Sequence, residues 1–218
     1  MRVGAVVHAR MSSARLPGKV LAPLAGRPAL DWVLERLDHA DQPDSVVLAT
    51  SDHPSDDAVA AYCAARGTPC HRGSLDDVAA RVLGAAREHR LDALVRVNGD
   101  SPLLDQRLVD RGVAMMRASA PDLVSNVRPR TFPPGQSVEV VSTAALERAH
   151  GPQASAEDRE HVTAPLYAGD FAVLRFEADP PRTEPALTLD TPADHARLEG
   201  ILLGMDRPHW EYTWEQLA

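Results

Sequence analysis

The order of short apolar segments and longer amphipathic ones in the first half of the chain constrains its fold most strongly. Three short, valine-rich segments, at residues 3–9, 45–51 and 93–97, have the pattern of buried strands. A briefer strand is predicted at 69–72, after the second helix. Helices are predicted between them at 28–37, from a cap at Ser55 to Gly67, from a cap at Ser74 and Asp77 to Glu88, and at 106–116. Strands that alternate with helices at this spacing imply an α/β fold with a mainly parallel sheet and helices on both faces.

The alternation breaks after residue 125. Residues 126–136 are rich in proline and arginine, which predicts a loop. Further strands are predicted at 137–141, 171–176 and 187–189, and further helices at 143–150, 158–168 and 192–203. This order predicts a single domain in three parts: a first half at 1–125, a small inserted lid at 126–186, and a return to the core sheet with a C-terminal helix at 187–218.

Charge and apolar pattern exclude several classes of function. The formal net charge is −8, whereas a general nucleic-acid binder needs a basic face; a mononucleotide needs only a local basic cluster. No apolar run approaches the roughly 20 residues of a membrane span, and the run before Arg10 is too short for a secretory signal. The two cysteines, Cys63 and Cys70, have no zinc spacing and form no disulfide framework. We therefore expect a cytoplasmic protein that binds neither nucleic acid nor membrane.

A basic loop follows the first predicted strand. It contains Arg10, Arg15 and Lys19 and no acidic residue, and it lies at the carboxyl edge of the sheet, where open α/β folds bind ligands. Its backbone N–H groups, together with Ser12, Ser13 and Gly18, can surround a polyphosphate that the cations neutralise. The loop has neither the Walker spacing nor a G-x-G-x-x-G pattern. The alternative is a solvated surface loop that is basic without binding a phosphate.

Two carboxylates are predicted at the same edge of the sheet. Asp100 follows Gly99 at the end of the strand at 93–97, and Asp190 follows the short strand at 187–189. Magnesium usually takes one or two protein carboxylates, with substrate phosphates and waters completing its shell. Both places also have a structural interpretation: Asp100 as a turn residue that caps the next helix, and the segment at Asp190 as the start of a helix that Thr191 caps and Pro192 opens.

Four segments together resemble a known family. The basic loop contains ARMSSARLPGK, and later segments read GDSPL, REHVT and LTLDTPAD. They are similar to the cytidylyltransferase family of CMP-sugar synthetases, most like the spore coat polysaccharide biosynthesis protein F group and related to CMP-Kdo and CMP-sialate synthetases. The resemblance covers 3–203; His8 and Ala14 stand where glutamine and threonine are expected. It implies a Rossmann-like sheet of the nucleotide-diphospho-sugar transferase type, CTP and a sugar-like acceptor as substrates, Mg²⁺ as cofactor, and a homodimer paired through the second halves.

The resemblance also implies a role for individual residues. Catalytic roles fall to Arg10, Lys19 and Asp100, and the metal ligands are Asp100 and Asp190. The nucleotide site is predicted to contain Ala9, Arg10, Ser12, Ser13, Arg15, Gly18, Lys19, Ser51, Arg72 and Ser74. The insertion is predicted to bind the acceptor and to dimerise, with acceptor contacts from Arg130, Gly135, Glu139, Arg159, Glu160 and His161. Ser137 replaces an aspartate that is usual in the segment RTFPPGQSVEV, which leaves the acceptor open.

The reaction implied is attack by an acceptor oxygen on the α-phosphorus of CTP, with pyrophosphate as the leaving group. Such chemistry needs in-line positioning and charge stabilisation more than covalent catalysis. A metal that coordinates the acceptor hydroxyl removes the need for a dedicated base, although His161 is a candidate for that role. Two alternatives stay open: a glycosyltransferase of the nucleotide-sugar-binding α/β type, and a catalytically silent nucleotide-binding subunit.

Overall fold

A seven-stranded sheet forms the centre of the computed structural model, which describes residues Met1–Ala218. The strands of the chain are β1 (Val3–His8), β2 (Pro23–Leu24), β3 (Arg27–Pro28), β4 (Ser45–Ser51), β5 (Cys70–Gly73), β6 (Ala93–Asn98), β7 (Leu123–Ser125), β8 (Glu139–Ser142) and β9 (Val173–Arg175). In the main sheet their order is β5-β4-β1-β6-β8-β7-β9, and β2 and β3 form a separate antiparallel pair. All pairs of the main sheet are parallel except those of β8 with β6 and β7. The predicted α/β fold with a mainly parallel sheet is confirmed.

Helices cover both faces of this sheet, as predicted. They are α1 (Ala29–Asp38), α2 (Asp57–Arg66), α3 (Val78–Glu88), α4 (Gln106–Ser119), α5 (Thr143–Ala149), α6 (Ala156–His161), α7 (Ala164–Ala168), α8 (Pro192–Leu203) and α9 (Trp214–Leu217), with 3₁₀ turns at Pro54–Asp56 and His209–Glu211. None of the helices combines the length and the apolar character that a membrane span requires.

The alternation of side chains along the strands divides the core in two. In β1, Val3, Ala5 and Val7 pack with apolar residues of α1, α2 and α4, whereas Val6 packs on the other face with α3, α5 and α7. This is the period-two pattern that a strand buried on both faces must have. The α3 face matters for function, because the last residues of β1 and β6 on that face are polar.

Helix starts are where the local predictions were wrong. Ser55 does not cap α2; the helix begins at Asp57 after the 3₁₀ turn, and the His53 side chain accepts the N–H of Ser55. Ser74 does not cap α3 either. The carboxylate of Asp77 accepts the N–H of Ala80 at 2.8 Å, while the Ser74 hydroxyl accepts the N–H of Asp77. His53 caps the 3₁₀ turn before α2, which itself has no side-chain cap, whereas Asp77 takes the capping position of α3. Residue type alone does not decide which side chain caps a helix.

The second half differs from the prediction in three further respects. The helix predicted at 158–168 is interrupted, and α6 and α7 replace it; the strand predicted at 171–176 is limited to β9. The strand predicted at 187–189 is absent from the sheet. Leu187 and Leu189 are buried, and their N–H groups donate to the carbonyls of Pro134 at 2.7 Å and Asp100 at 2.8 Å. The segment is therefore an extended connection, which brings Asp190 next to the end of β6.

Candidate active site

A cavity of about 510 Å³ opens at the carboxyl ends of β1 and β6. The two strands end in register, with His8 beside Asn98, and the basic loop, the start of α3 and the end of α6 complete the walls. The predicted site residues that line it are Ala9, Arg10, Ser12, Ser13, Arg15, Lys19, Asp100, Glu160, His161 and Asp190. The sheet edge that the sequence indicated is therefore the edge at which these side chains meet.

Lys19 joins the two predicted metal-binding carboxylates. Its Nζ lies 2.6 Å from Oδ2 of Asp100 and 2.7 Å from Oδ1 of Asp190, and Arg15 lies 2.9 Å from the same Asp190 oxygen. The Lys19 side chain is 11% exposed and each aspartate side chain 24% exposed. Asp100 and Asp190 thus both contact one nitrogen atom of Lys19, although they are 81 and 171 positions from it in the sequence.

The loop that carries Lys19 is fixed from two sides. The N–H of Met11 donates to Oδ1 of the buried Asp56 at 2.7 Å, and Oδ2 of Asp56 accepts the N–H and the hydroxyl of Ser51. Gly18 adopts a φ of +73°, which favours glycine, and its N–H donates to the Met11 carbonyl at 2.9 Å. Gly18 therefore closes the loop on itself, and its N–H is already paired.

Positive charge without a carboxylate partner lies on the α3 side of the cavity. Arg10 is half-buried and makes no ion pair or hydrogen bond, whereas Arg81 is 2% exposed and donates only to the carbonyls of Ser74 and Leu75. Burial, followed by the nearby charge of Arg10, lowers the pKa of Arg81. This pair of guanidinium groups makes that part of the cavity suitable for an anion.

His8 stands beside these arginines. Burial lowers the pKa of its imidazole well below the usual value, and the charges of Arg96 and Arg81 lower it further. The ring is therefore neutral at physiological pH, and its Nε2 has no hydrogen-bond partner. A neutral imidazole at the floor of the cavity can donate or accept a hydrogen bond to a bound molecule.

A second cavity of about 360 Å³ adjoins the first and shares Arg96 and His161 with it. The carboxylate of Glu139 is buried in its wall. It accepts hydrogen bonds from Tyr167 Oη at 2.6 Å, Thr163 Oγ1 at 2.9 Å and Arg96 at 3.1 Å. Burial, together with Glu139, raises the pKa of Tyr167. Glu139 therefore organises the wall of this cavity and is already well supplied with donors.

Besides Gly18, three residues predicted at the nucleotide do not line the first cavity. Ser51 is fully buried against Asp56, and Arg72 donates through Nε to the Ser51 carbonyl at 2.9 Å and pairs with Asp57 at 2.7 Å. The Ser74 hydroxyl is engaged with the backbone before α3. Their contacts stabilise the ends of β4 and β5, and their role in binding a base or ribose stays a prediction.

The remaining predicted acceptor residues also have structural contacts. Arg130 is exposed and lies 3.3 Å from the Ser137 hydroxyl, while Arg159 pairs with Asp77 at 2.6 Å and so joins α6 to the start of α3. Gly135 has a φ of +99°, and a Cβ there would lie 2.7 Å from the backbone of Leu187. The glycine is required by the close crossing of these two segments, whatever its role toward an acceptor.

Sequence reasoning missed four polar residues that line the first cavity: His8, Arg81, Arg96 and Asn98. Three of them lie at the ends of β1 and β6 on the face toward α3, at positions where earlier residues of the same strands are apolar. A polar residue at the inward position of a strand that is otherwise apolar on both faces is the signal that could have found them. Arg81 gives no such signal, since an arginine on an amphipathic helix is usually solvated.

Comparison with known proteins identifies the family. The family model described as cytidylyltransferase matches residues 5–195 of this chain. The chain belongs to the cytidylyltransferase family. Spore coat polysaccharide biosynthesis protein SpsF of Bacillus subtilis is 32% identical over 209 residues, which cover 90% of this chain and 84% of that protein. The resemblance drawn from the motifs is thereby confirmed.

Solved structures of cytidylyltransferases have the same fold. A cytidylyltransferase from Leptospira borgpetersenii matches with a TM-score of 0.94 and 28% identity, covering 100% of this chain and 92% of that one. The structure of CMP:2-keto-3-deoxy-manno-octonic acid synthetase complexed with CTP matches with a TM-score of 0.69 over 93% of this chain and 99% of that one. At 19% identity, this second match concerns the fold alone.

Proposed function

We propose that this cytidylyltransferase transfers CMP from CTP to a sugar or sugar-like acceptor and releases pyrophosphate. The observation that carries the proposal is the convergence of Lys19, Asp100 and Asp190 at the sheet edge, next to the unpaired charge of Arg10 and Arg81. A nucleotidyltransferase needs this combination, because it must grip a triphosphate and stabilise the charge that moves onto the leaving group.

The two aspartates fit a divalent cation, which we propose is Mg²⁺. Both carboxylates approach a single atom, Lys19 Nζ, within 2.7 Å, so one ion can contact both of them. Magnesium readily accepts a shell of one or two carboxylates completed by phosphate oxygens and waters. When bound, the ion supplies neutralisation of charge around the reacting phosphorus.

The protein's own residues have the following proposed roles. Arg10 and Arg81 bind the phosphates, and Lys19 and Arg15 neutralise the charge that pyrophosphate gains as the bond from the α-phosphorus to the leaving oxygen breaks. His8 and Asn98 form the floor beneath the reacting groups. The loop is held by Asp56, so that its cations are positioned before the nucleotide binds.

We place the acceptor in the second cavity. His161 and Arg96 line both cavities, so an acceptor bound beside them faces the nucleotide. Thr163, Tyr167 and Glu139 give this cavity a hydrogen-bonding wall suited to a polyhydroxylated molecule. We also propose the division of the chain into 1–125, 126–186 and 187–218 and a cytoplasmic location, both from the sequence pattern, and a homodimer from the family resemblance.

The test is to incubate the protein with Mg²⁺, CTP labelled at the α-phosphorus and a panel of acidic and neutral sugars. The proposal predicts label in a CMP–acceptor conjugate and unlabelled pyrophosphate. A glycosyltransferase would instead consume a nucleotide sugar and release a nucleoside diphosphate. A silent nucleotide-binding subunit would bind CTP and leave all of the label in CTP across the panel.

A further inference from the structure

Lys19 and Arg15, which we propose neutralise pyrophosphate, also contact the two aspartates that fit a divalent cation. Lys19 Nζ contacts both aspartates at 2.6 and 2.7 Å, and Arg15 contacts Asp190 at 2.9 Å. Two positive side chains therefore neutralise the two negative ones. The carboxylates that fit a divalent cation are already paired with cations that belong to the chain.

This pairing opposes the entry of a metal ion on its own. A divalent cation bound to Asp100 and Asp190 would lie within a few ångströms of the ammonium group of Lys19, and charges at such distances repel strongly in a partly buried site. Moving Lys19 away without a new partner would leave a buried ammonium unpaired, which is also unfavourable. The metal can therefore enter at low cost only when another anion accepts Lys19.

A nucleoside triphosphate provides that anion. Lys19 has a flexible four-carbon stem, and its backbone is fixed by the loop that Asp56 holds. An exchange of partners therefore needs a movement of the side chain alone. Arg15 is 66% exposed and can move more freely still.

We infer that Lys19 and Arg15 occupy the cation ligands in the nucleotide-free chain and exchange them for phosphate oxygens when the triphosphate binds, so that divalent cation and nucleotide bind as a coupled pair. In this exchange the ammonium and guanidinium groups pass from carboxylate to phosphate, and the freed carboxylates turn to the metal. The inference rests on the proposed function, and it assigns to Lys19 the control of metal occupancy as well as phosphate binding.

The experiment measures Mn²⁺ binding to the nucleotide-free protein, by the loss of the free-ion electron paramagnetic resonance signal, for wild type, Lys19→Met and Arg15→Met. Lys19→Met keeps most of the buried stem and removes the charge. It is expected to bind Mn²⁺ about tenfold more tightly than wild type or better, with a smaller gain for Arg15→Met, because each substitution frees a carboxylate. The control is Arg81→Met, which removes a positive charge from the same cavity but touches neither aspartate; its Mn²⁺ affinity should rise less than that of either Lys19→Met or Arg15→Met.

Equal Mn²⁺ affinity in wild type and Lys19→Met would overturn the inference, as would an equal gain in Arg81→Met. Circular dichroism checks that each variant is folded. If Lys19→Met does not fold, Arg15→Met decides, since its side chain is largely exposed. CTP binding is measured separately with Mg²⁺ present: wild type should bind CTP, and Lys19→Met should bind it more weakly. Failure of wild type to bind CTP contradicts the proposed function, whereas the metal comparison is made without nucleotide and is interpreted independently.

Discussion

Asp56 connects the basic loop to the body of the fold, and its removal gives a sharp prediction. The side chain is fully buried, and its two oxygens accept the N–H of Met11 at 2.7 Å, the N–H of Ser51 at 3.2 Å and the Ser51 hydroxyl. A hydrogen bond to a charged group contributes about 1.5–3 kcal/mol, and unpaired buried donors add a penalty. Because these bonds share one group and are not additive, we expect Asp56→Ala to lower the free energy of unfolding by about 3–5 kcal/mol.

The same substitution should weaken CTP binding, because the loop that carries Arg10 and Lys19 loses its attachment. Urea unfolding gives the stability, and calorimetric titration with CTP gives the affinity. Asp57→Ala is the matched control: this neighbouring side chain is 64% exposed and pairs only with Arg72, so its loss should cost less than about 1 kcal/mol. If Asp56→Ala were as stable as Asp57→Ala, the argument that Asp56 fixes the loop would be refuted.

Three further predictions concern other parts of the molecule. Asp100→Asn should lower kcat by about 100-fold or more while the circular dichroism spectrum stays unchanged, and near-normal turnover would contradict the assignment of Asp100. Gly135→Ala should lower the free energy of unfolding, measured in urea, by about 2–4 kcal/mol, because φ is +99° and the new Cβ would meet the backbone of Leu187 at 2.7 Å. An unchanged urea midpoint would contradict the close contact between the backbones of Gly135 and Leu187. Burial lowers the pKa of His209 from 6.5 to about 4. Between these pH values the unfolded chain binds a proton that the folded chain does not. The free energy of unfolding should therefore fall as the pH drops from about 6.5 to 4, by at most about 1.4 kcal/mol per pH unit. His209→Gln should reduce this slope in urea unfolding at several pH values, and an unaltered slope would assign the effect to other groups.

Much of the fold was predictable because its determinants are local and repetitive. The valine-rich segments and the helices between them indicated the sheet, and their positions after predicted strands put the basic loop, Asp100 and Asp190 at its carboxyl edge. The predictions that failed concern places where neighbouring groups compete for the same local hydrogen bonds. Ser55 and Ser74 are good capping residues, yet His53 caps the 3₁₀ turn before α2 and Asp77 caps α3. The apolar pattern of 187–189 favours a strand, but its N–H groups bond to Pro134 and Asp100 instead of a neighbouring strand.

The site contains contacts that no local pattern reveals. Asp56 lies directly before α2, yet its carboxylate accepts the N–H of Met11, 45 residues away in sequence. The pairing of Lys19 with both aspartates depends on three separate segments that meet only in the folded chain. Arg81 has the sequence context of a solvated helix residue, and only the packing of α3 against the sheet buries it beside Arg10.

Pyrophosphate release with Mg²⁺, each of the four nucleoside triphosphates, and a panel of acidic and neutral sugars tests the central claim most directly. We predict release that requires CTP together with one class of acceptor, and that is lost in Asp100→Asn. Release of a nucleoside diphosphate from a nucleotide sugar, or no pyrophosphate from any combination of triphosphate and acceptor, would contradict the proposed transfer of CMP.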